Sequence, residues 1–196
     1  MAVRGGLALL DHRRSHCELI TPDTLNDGTR LRYAKGLALS PVAGHRTIHH
    51  SGGINGFRSD LAWFPDDSAI IVVLVNTSGP VNPGGILSAM AERLLGKREP
   101  APGRPIAGDL AEFAGAWRGL GRGNPLVIRT SVDSAGLSFQ AQGPGAGPGQ
   151  QRRLRRLGSD SFAAGETLLT FLREGGRVVK LRFDEVSIVS TLDRQP

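Results

Sequence analysis

This 196-residue chain is short of cysteine, tyrosine and aromatic residues generally: one Cys, one Tyr, and aromatics at only 5% of positions. A lone Cys17 cannot close an intramolecular disulfide, so no disulfide framework holds the fold and the redox compartment is left open. No apolar run reaches the roughly eighteen residues that a membrane-spanning helix needs. Near the N-terminus GLALL is shorter than the apolar stretch of a signal peptide, and no small-residue cleavage site follows it. No export signal is therefore expected, and localisation stays undetermined. Scarce aromatics also remove the stacking platform on which single-stranded nucleic acid is bound.

What the chain does have is positive charge, +6 at neutral pH with a pI near 10.6. Arginine outnumbers lysine and is spread along the whole length, the pattern of a compositional habit rather than of a phosphate-binding surface. The one dense cluster is Arg152, Arg153, Arg155 and Arg156 in QRRLRRL, expected to form a solvated basic edge with its leucines turned inward. No nucleic-acid partner is expected.

Apolar content of 39% is that of a globular chain. Residues 97–109, KREPAPGRPIAGD, lack periodicity and are rich in proline, which marks a linker between domains 1–96 and 110–196. In the first domain, Ser59–Phe64 and Ala69–Asn76 read as strands joined by the turn PDDS, the second of them buried. Asn82 and Pro83 open a helix that stops at Gly96, with Ile86, Met90 and Leu94 beside Leu87 facing the sheet. Lys35–Ser40 and His45–His50 suggest a further hairpin, and Asp11–Asp27 a short helix followed by the turn NDG. Downstream, six or so short strands separated by turns imply a small antiparallel barrel or sandwich, with GPGAGPGQ (143–150) as a loop. The fold class expected is α+β: an antiparallel sheet with a packed C-terminal helix, then an all-β domain.

Three constellations bear on chemistry. His12 and His16 share helical spacing with Cys17 and Glu18 nearby, but HRRSH lacks the glutamate of a zinc-protease helix. His49 and His50 are neighbours on a strand and point to opposite faces, so they cannot chelate one ion. No metal and no cofactor are expected. Among nucleophile motifs, G-x-S-x-G, S-x-x-K and Y-x-N are all absent, and Tyr33 lies in YAK. The third is IHHSGGINGFRS (48–59). Gly52, Gly53 and Gly56 there can form a plain turn, with His50 an edge histidine. Equally, a strand ending in His-Ser-Gly-Gly can present a proton carrier, a hydroxyl and open backbone N–H groups to one ligand.

YAKGLAL, HHSGGINGFRSD, LAWFPDDSAIIVVLVN and the helix after them resemble, in that order, the C-terminal part of the serine β-lactamase and penicillin-binding-protein-like hydrolases. The likeness is strongest to the class C and esterase-like branch and covers Thr21 to Gly96. It implies that His50-Ser51-Gly52 occupies the active-site strand. His50 would be a polar or cationic catalytic group, Ser51 and Gly52 would bind substrate, and the Gly53 N–H would be an oxyanion donor. The residues from Leu110 resemble the small β-barrel-like accessory domain that follows some such hydrolases.

Only 49 residues precede His50, and the family's nucleophile and tyrosine motifs are not among them. The resemblance therefore implies a C-terminal fragment of an enzyme that cleaves an ester, amide or peptide bond through an acyl-enzyme. Alone it is expected to be inactive, with exposed apolar surface on the first domain and a tendency to oligomerise. Relatives of this kind are often periplasmic or secreted. The alternative is a non-catalytic binding or regulatory module whose β domain binds a ligand or partner.

Overall fold

The computed structural model describes residues 12–98, 108–143 and 149–196, with side chains from Arg14 onward. Most of the expected linker, the central part of the 143–150 loop, the GLALL segment and the side chain of His12 lie outside the described residues. The chain divides into two compact units, Met1–Gly96 and Lys97–Pro196.

In the first unit a short helix, α1 (His12–Leu19), precedes irregular chain pinned by single β-bridges such as Tyr33 to Ala38 and Ala38 to His49. Three antiparallel strands follow: β1 (Ile48–Ile54), β2 (Phe57–Phe64) and β3 (Ala69–Val75), in that order across the sheet. α2 (Pro83–Leu95) begins where the Asn82 side chain accepts a hydrogen bond from Gly84 N–H, and ends at Gly96, whose φ of 83° suits glycine.

β3 is not a buried strand. Ile71 and Val73 face the core, while Ile70, Val72 and Leu74 stand outward. Alternation is forced because α2 covers one face of the sheet only. The stripe of α2 that is buried is also not the expected one. Leu87 and Ala91 join Ala62, Phe64, Ile71 and Val73 in the core, leaving Ile86, Met90 and Leu94 exposed. A helix of thirteen residues seats one stripe on a narrow sheet, and the small side chain of Ala91 allows the closer approach.

In the second unit a 3₁₀ turn at Ala111–Phe113 leads into β4 (Gly115–Gly121), β5 (Asn124–Asp133) and β6 (Gly136–Gln142). Next come two-residue strands β7 (Arg152–Arg153) and β8 (Arg155–Arg156), then β9 (Ser161–Ala164), β10 (Thr167–Glu174), β11 (Arg177–Asp184) and β12 (Val189–Arg194). All nine belong to one sheet, ordered β7-β6-β5-β4-β12-β11-β10-β9-β8. Its two edges, β7 and β8, are separated in sequence by Leu154 alone, so RRLRR stitches a nearly closed barrel.

Leu154 is buried, and its N–H donates to the Leu137 carbonyl. The flanking arginines are not simply solvated. Arg152 lies over the Phe139 ring at 5.4 Å and Arg156 over Phe162 at 5.5 Å. Arg153 forms an ion pair with Asp133. Trp117, fully buried, donates its indole N–H to Thr130 Oγ1, which in turn donates to the Phe113 carbonyl.

These observations overturn the α+β expectation. Strands make up most of the regular structure of the chain and all the sheet structure of the second unit, the described residues contain two α-helices, and the larger sheet is barrel-like. α2 packs on the small sheet only, whereas the nine-stranded sheet, which sets the class, has no α-helix within its unit among the described residues.

Candidate functional site

The site expected from sequence lies on β1. Gly52 and Gly53 are strand residues, paired with Ser59 and Arg58, and only Gly56 has positive φ, at 86° in the turn to β2. A plain turn therefore accounts for Gly56 and not for the other two. At Gly52 an added Cβ would lie 2.7 Å from Ser59 Oγ, a side-chain end that has to turn aside to admit it.

Cross-strand register assigns each side chain to a face. His50 pairs with Leu61 and Ser51 with Asp60. His50 and Gly52 therefore share the outer face with Leu61, while His49, Ser51 and Gly53 share the inner face with Ala62 and buried Asp60. The two histidines point apart. His49 Nε2 is hydrogen-bonded to Ser40 Oγ at 2.7 Å, and His50 Nε2 to Tyr33 OH at 2.8 Å. Ser40 is only 1% exposed, so this Ser–His contact is inaccessible to substrate. Ser51 has no activating imidazole either: His50 is on the other face, and His49 is engaged by Ser40.

Sequence alone assigns Tyr33 no role. Its signal is its place in YAKGLAL, and the Tyr33–Ala38 and Ala38–His49 bridges are what bring its hydroxyl to β1.

The backbone of β1 carries a second feature. His49 exchanges both of its peptide hydrogen bonds with Ala38, on the side away from β2. Alternation then directs the N–H and C=O of Ser51 and Gly53 to that same edge. Among the described residues no strand pairs with them there. β1 thus offers an open edge next to Ser51 and Gly53, with His50 fixed beside it.

At the hairpin end of the sheet, Gly52, Gly53, Ile54, Phe57, Ser59 and Leu74 help line a concavity of about 480 Å³. A larger one, about 570 Å³, is lined by Arg30, Arg32, Arg46 and apolar residues around Ile48.

His16 does not join Cys17 in a ligand set. Its ring packs edge-on to Trp63 at 5.3 Å, and Cys17 is exposed. Among the described residues no three His, Cys, Asp or Glu side chains cluster as metal ligands, and no helix is long and apolar enough to cross a membrane.

No protein-family model matches the chain. A D-aminopeptidase of Cereibacter sphaeroides is 27% identical over 135 residues, 68% of this chain and 24% of that protein. The same enzyme from a second strain gives the same figures. The chain spans about a quarter of the length of the curated relatives it matches. This distant similarity to an aminopeptidase supports a hydrolase-family relationship. Among solved structures, SurE with D-Leu aligns over 89% of this chain and 40% of its own, at 20% identity and a TM-score of 0.44. A penicillin-binding protein homologue from Pyrococcus abyssi, described as octameric, aligns over 90% and 41%, at 18% identity and a TM-score of 0.35. Both scores fall below 0.5, and neither likeness carries an inference about fold or assembly.

Proposed function

We propose that the first unit is the substrate-side wall of a β-lactamase-like serine hydrolase that cleaves an amide or peptide bond next to a D-amino acid. The observation that carries this reading is the open edge of β1, where the Ser51 and Gly53 peptide groups have no strand partner beside a histidine fixed by Tyr33. The resemblance of HSGGINGFRS to such enzymes and the similarity to a D-aminopeptidase support it.

An extended substrate adds to this edge as a short antiparallel strand. Gly53 N–H then donates to the carbonyl oxygen as negative charge develops on it, a contact of a kind worth about 3–4 kcal/mol in the transition state. Gly52 and Gly53 leave no side chain in the way of that approach. Ser51 Oγ hydrogen-bonds a carbonyl or carboxylate of the substrate, and His50 supplies the polar group next to the reacting bond. The acyl-enzyme step needs a nucleophile that S-x-x-K and Y-x-N provide in such hydrolases, and this sequence holds neither motif. The wall therefore binds and polarises, and the covalent step belongs to residues outside it.

Saturation-transfer NMR with D-alanine p-nitroanilide tests both halves. Binding without turnover is expected. Gly53→Pro removes the N–H that faces the open edge, and an edge strand tolerates proline at such a position. A folded Gly53→Pro chain that still binds like the parent would sink the edge assignment. Release of p-nitroaniline by the purified chain would overturn the need for an outside nucleophile.

A further inference from the structure

The larger concavity of the first unit, about 570 Å³, joins three arginines to an aliphatic wall. That volume lies within the roughly 300–1,000 Å³ of small-molecule sites. It reaches Ile48, the first residue of β1, whereas Gly53 lies about 16 Å further along the extended strand. The concavity and the open edge thus occupy different ends of β1. Hydrogen bonds hold its walls in place. Leu39 N–H donates to the Arg32 carbonyl at 2.8 Å, which lays residues 30–32 beside 39–41. Buried Ser40 is fixed by its bond to His49. Buried Thr47 donates to the His45 carbonyl at 2.9 Å and accepts from Val42 N–H at 3.3 Å.

Leu31, Leu39 and Ile48 carry the aliphatic wall, and no lining residue is aromatic or acidic. Arg30 and Arg46 are exposed and Arg32 is half-buried. Arg46 holds Asp66 through Nη1 at 3.1 Å, a surface pair that water screens. Arg30 has no acidic partner among the described residues. The three cations set this place apart from the apolar outer face of the sheet. A protein surface laid over them would desolvate three guanidinium groups, which is costly unless each is paired.

We propose that this concavity binds a small amphipathic anion, a carboxylate or phosphate head on an aliphatic chain. The head takes paired hydrogen bonds from the guanidinium forks, and the chain covers the aliphatic wall. With no aromatic side chain in the lining, nothing there stacks on a nucleobase or an aryl ring. The anion site and the hydrolase wall are independent: the probes below are titrated without any peptide substrate, so failure of one reading leaves the other standing.

Titration calorimetry of the whole chain with octanoate, below its micellar range, should give one saturable site. The amide resonances that move should be those of Leu31, Leu39, Thr47 and Ile48. Hexanoate should bind about 15-fold more weakly, about fourfold for each methylene lost. Octanol and acetate, each lacking one half of the ligand, should not bind measurably. Arg30→Gln should weaken octanoate at least about tenfold, the loss of one charge-assisted hydrogen bond. Arg46→Gln should weaken it too, which keeps the test decisive if either variant folds poorly. Arg93→Gln removes the same charge from the last turn of α2 and should change nothing. Octyl phosphate in place of octanoate decides which head the arginines prefer. No saturable binding of either anion, octanol binding as tightly as octanoate, or folded Arg30→Gln and Arg46→Gln chains that bind like the parent would each overturn the proposal. So would an equal loss in Arg93→Gln, or shifts confined to Phe57 and Leu74.

Discussion

Two glycines present the same distance and opposite expectations. A Cβ added at Gly119 in β4 would lie 2.7 Å from the Thr191 carbonyl oxygen, with Leu192 Cα at 3.2 Å and Cγ at 3.3 Å. A Cβ added at Gly52 would also lie 2.7 Å from its nearest neighbour, the Ser59 hydroxyl. The Thr191 oxygen belongs to the backbone of β12, and fully buried Leu192 holds that strand in place. Relief at Gly119 therefore requires β4 and β12 to separate. Their pairing, Leu192–Gly119 to Arg194–Trp117, joins β4–β7 to β8–β12 within the barrel.

Overpacking of this sort costs about 1–3 kcal/mol, and because no rotamer relieves it the upper part of that range applies. Replacing glycine by alanine returns about 0.4–1 kcal/mol through the unfolded chain. Gly119→Ala should therefore lose about 1–2 kcal/mol, lowering the midpoint of the second unit by roughly 4–16 °C. Ser59 Oγ, by contrast, is half-buried and turns to another rotamer at about 0.5–1.5 kcal/mol, which the same entropy gain nearly cancels. Gly52→Ala should fall within about 0.5 kcal/mol of the parent. Urea unfolding followed by Trp117 fluorescence in a Trp63→Phe background reads the first substitution, and Trp63 fluorescence in a Trp117→Phe background reads the second. Equal costs at the two positions would refute the reasoning, as would a neutral Gly119→Ala.

Acid should loosen the second unit through Glu112, whose carboxyl is held below its ordinary 4.5 chiefly by the hydrogen bonds from Arg173. A depressed carboxylate contributes stability that is present above the unfolded value and lost as pH falls through the folded one. The loss belongs below pH 4.5 and Glu112→Gln should flatten it, as chemical unfolding at stepped pH will read. His45 is fully buried with Nδ1 2.8 Å from Asp67 and Nε2 2.9 Å from the Gly96 carbonyl, so His45→Leu removes both hydrogen bonds from a buried position, leaving half-buried Asp67 and the exposed Gly96 carbonyl to water. It should cost about 1–3 kcal/mol in the first unit by urea unfolding. Tyr33→Phe removes the hydrogen bond to His50 and should shift the His50 imidazole nitrogen resonances while costing at most about 1 kcal/mol, since both groups are partly solvated. Unmoved resonances would dissociate Tyr33 from the site.

Local sequence was enough to specify the turn PDDS, the start of α2 at Asn82 and its end at Gly96, and most strands of the second unit. Each rests on residues whose preferences act within a few positions: β-branched runs, a capping amide, glycines with positive φ. Strand alternation alone separates His49 from His50. The HSGG chemistry was likewise visible as a string of residue types. Faces and partners were not. AIIVVLV reads as buried from end to end, and only the tertiary structure turns Ile70, Val72 and Leu74 outward, because one helix covers one side of the sheet. Ile86, Met90 and Leu94 make as regular a stripe as Leu87 and Ala91, and packing alone decides which is seated. QRRLRRL gives no hint that Leu154 closes a barrel or that Arg152 and Arg156 stack on buried rings, since those rings come from strands brought together only by the fold. Tyr33 reaches His50 across seventeen residues for the same reason. Backbone preferences are local and can be read along the chain, whereas burial, stacking and hydrogen-bond partners depend on residues that only folding makes neighbours.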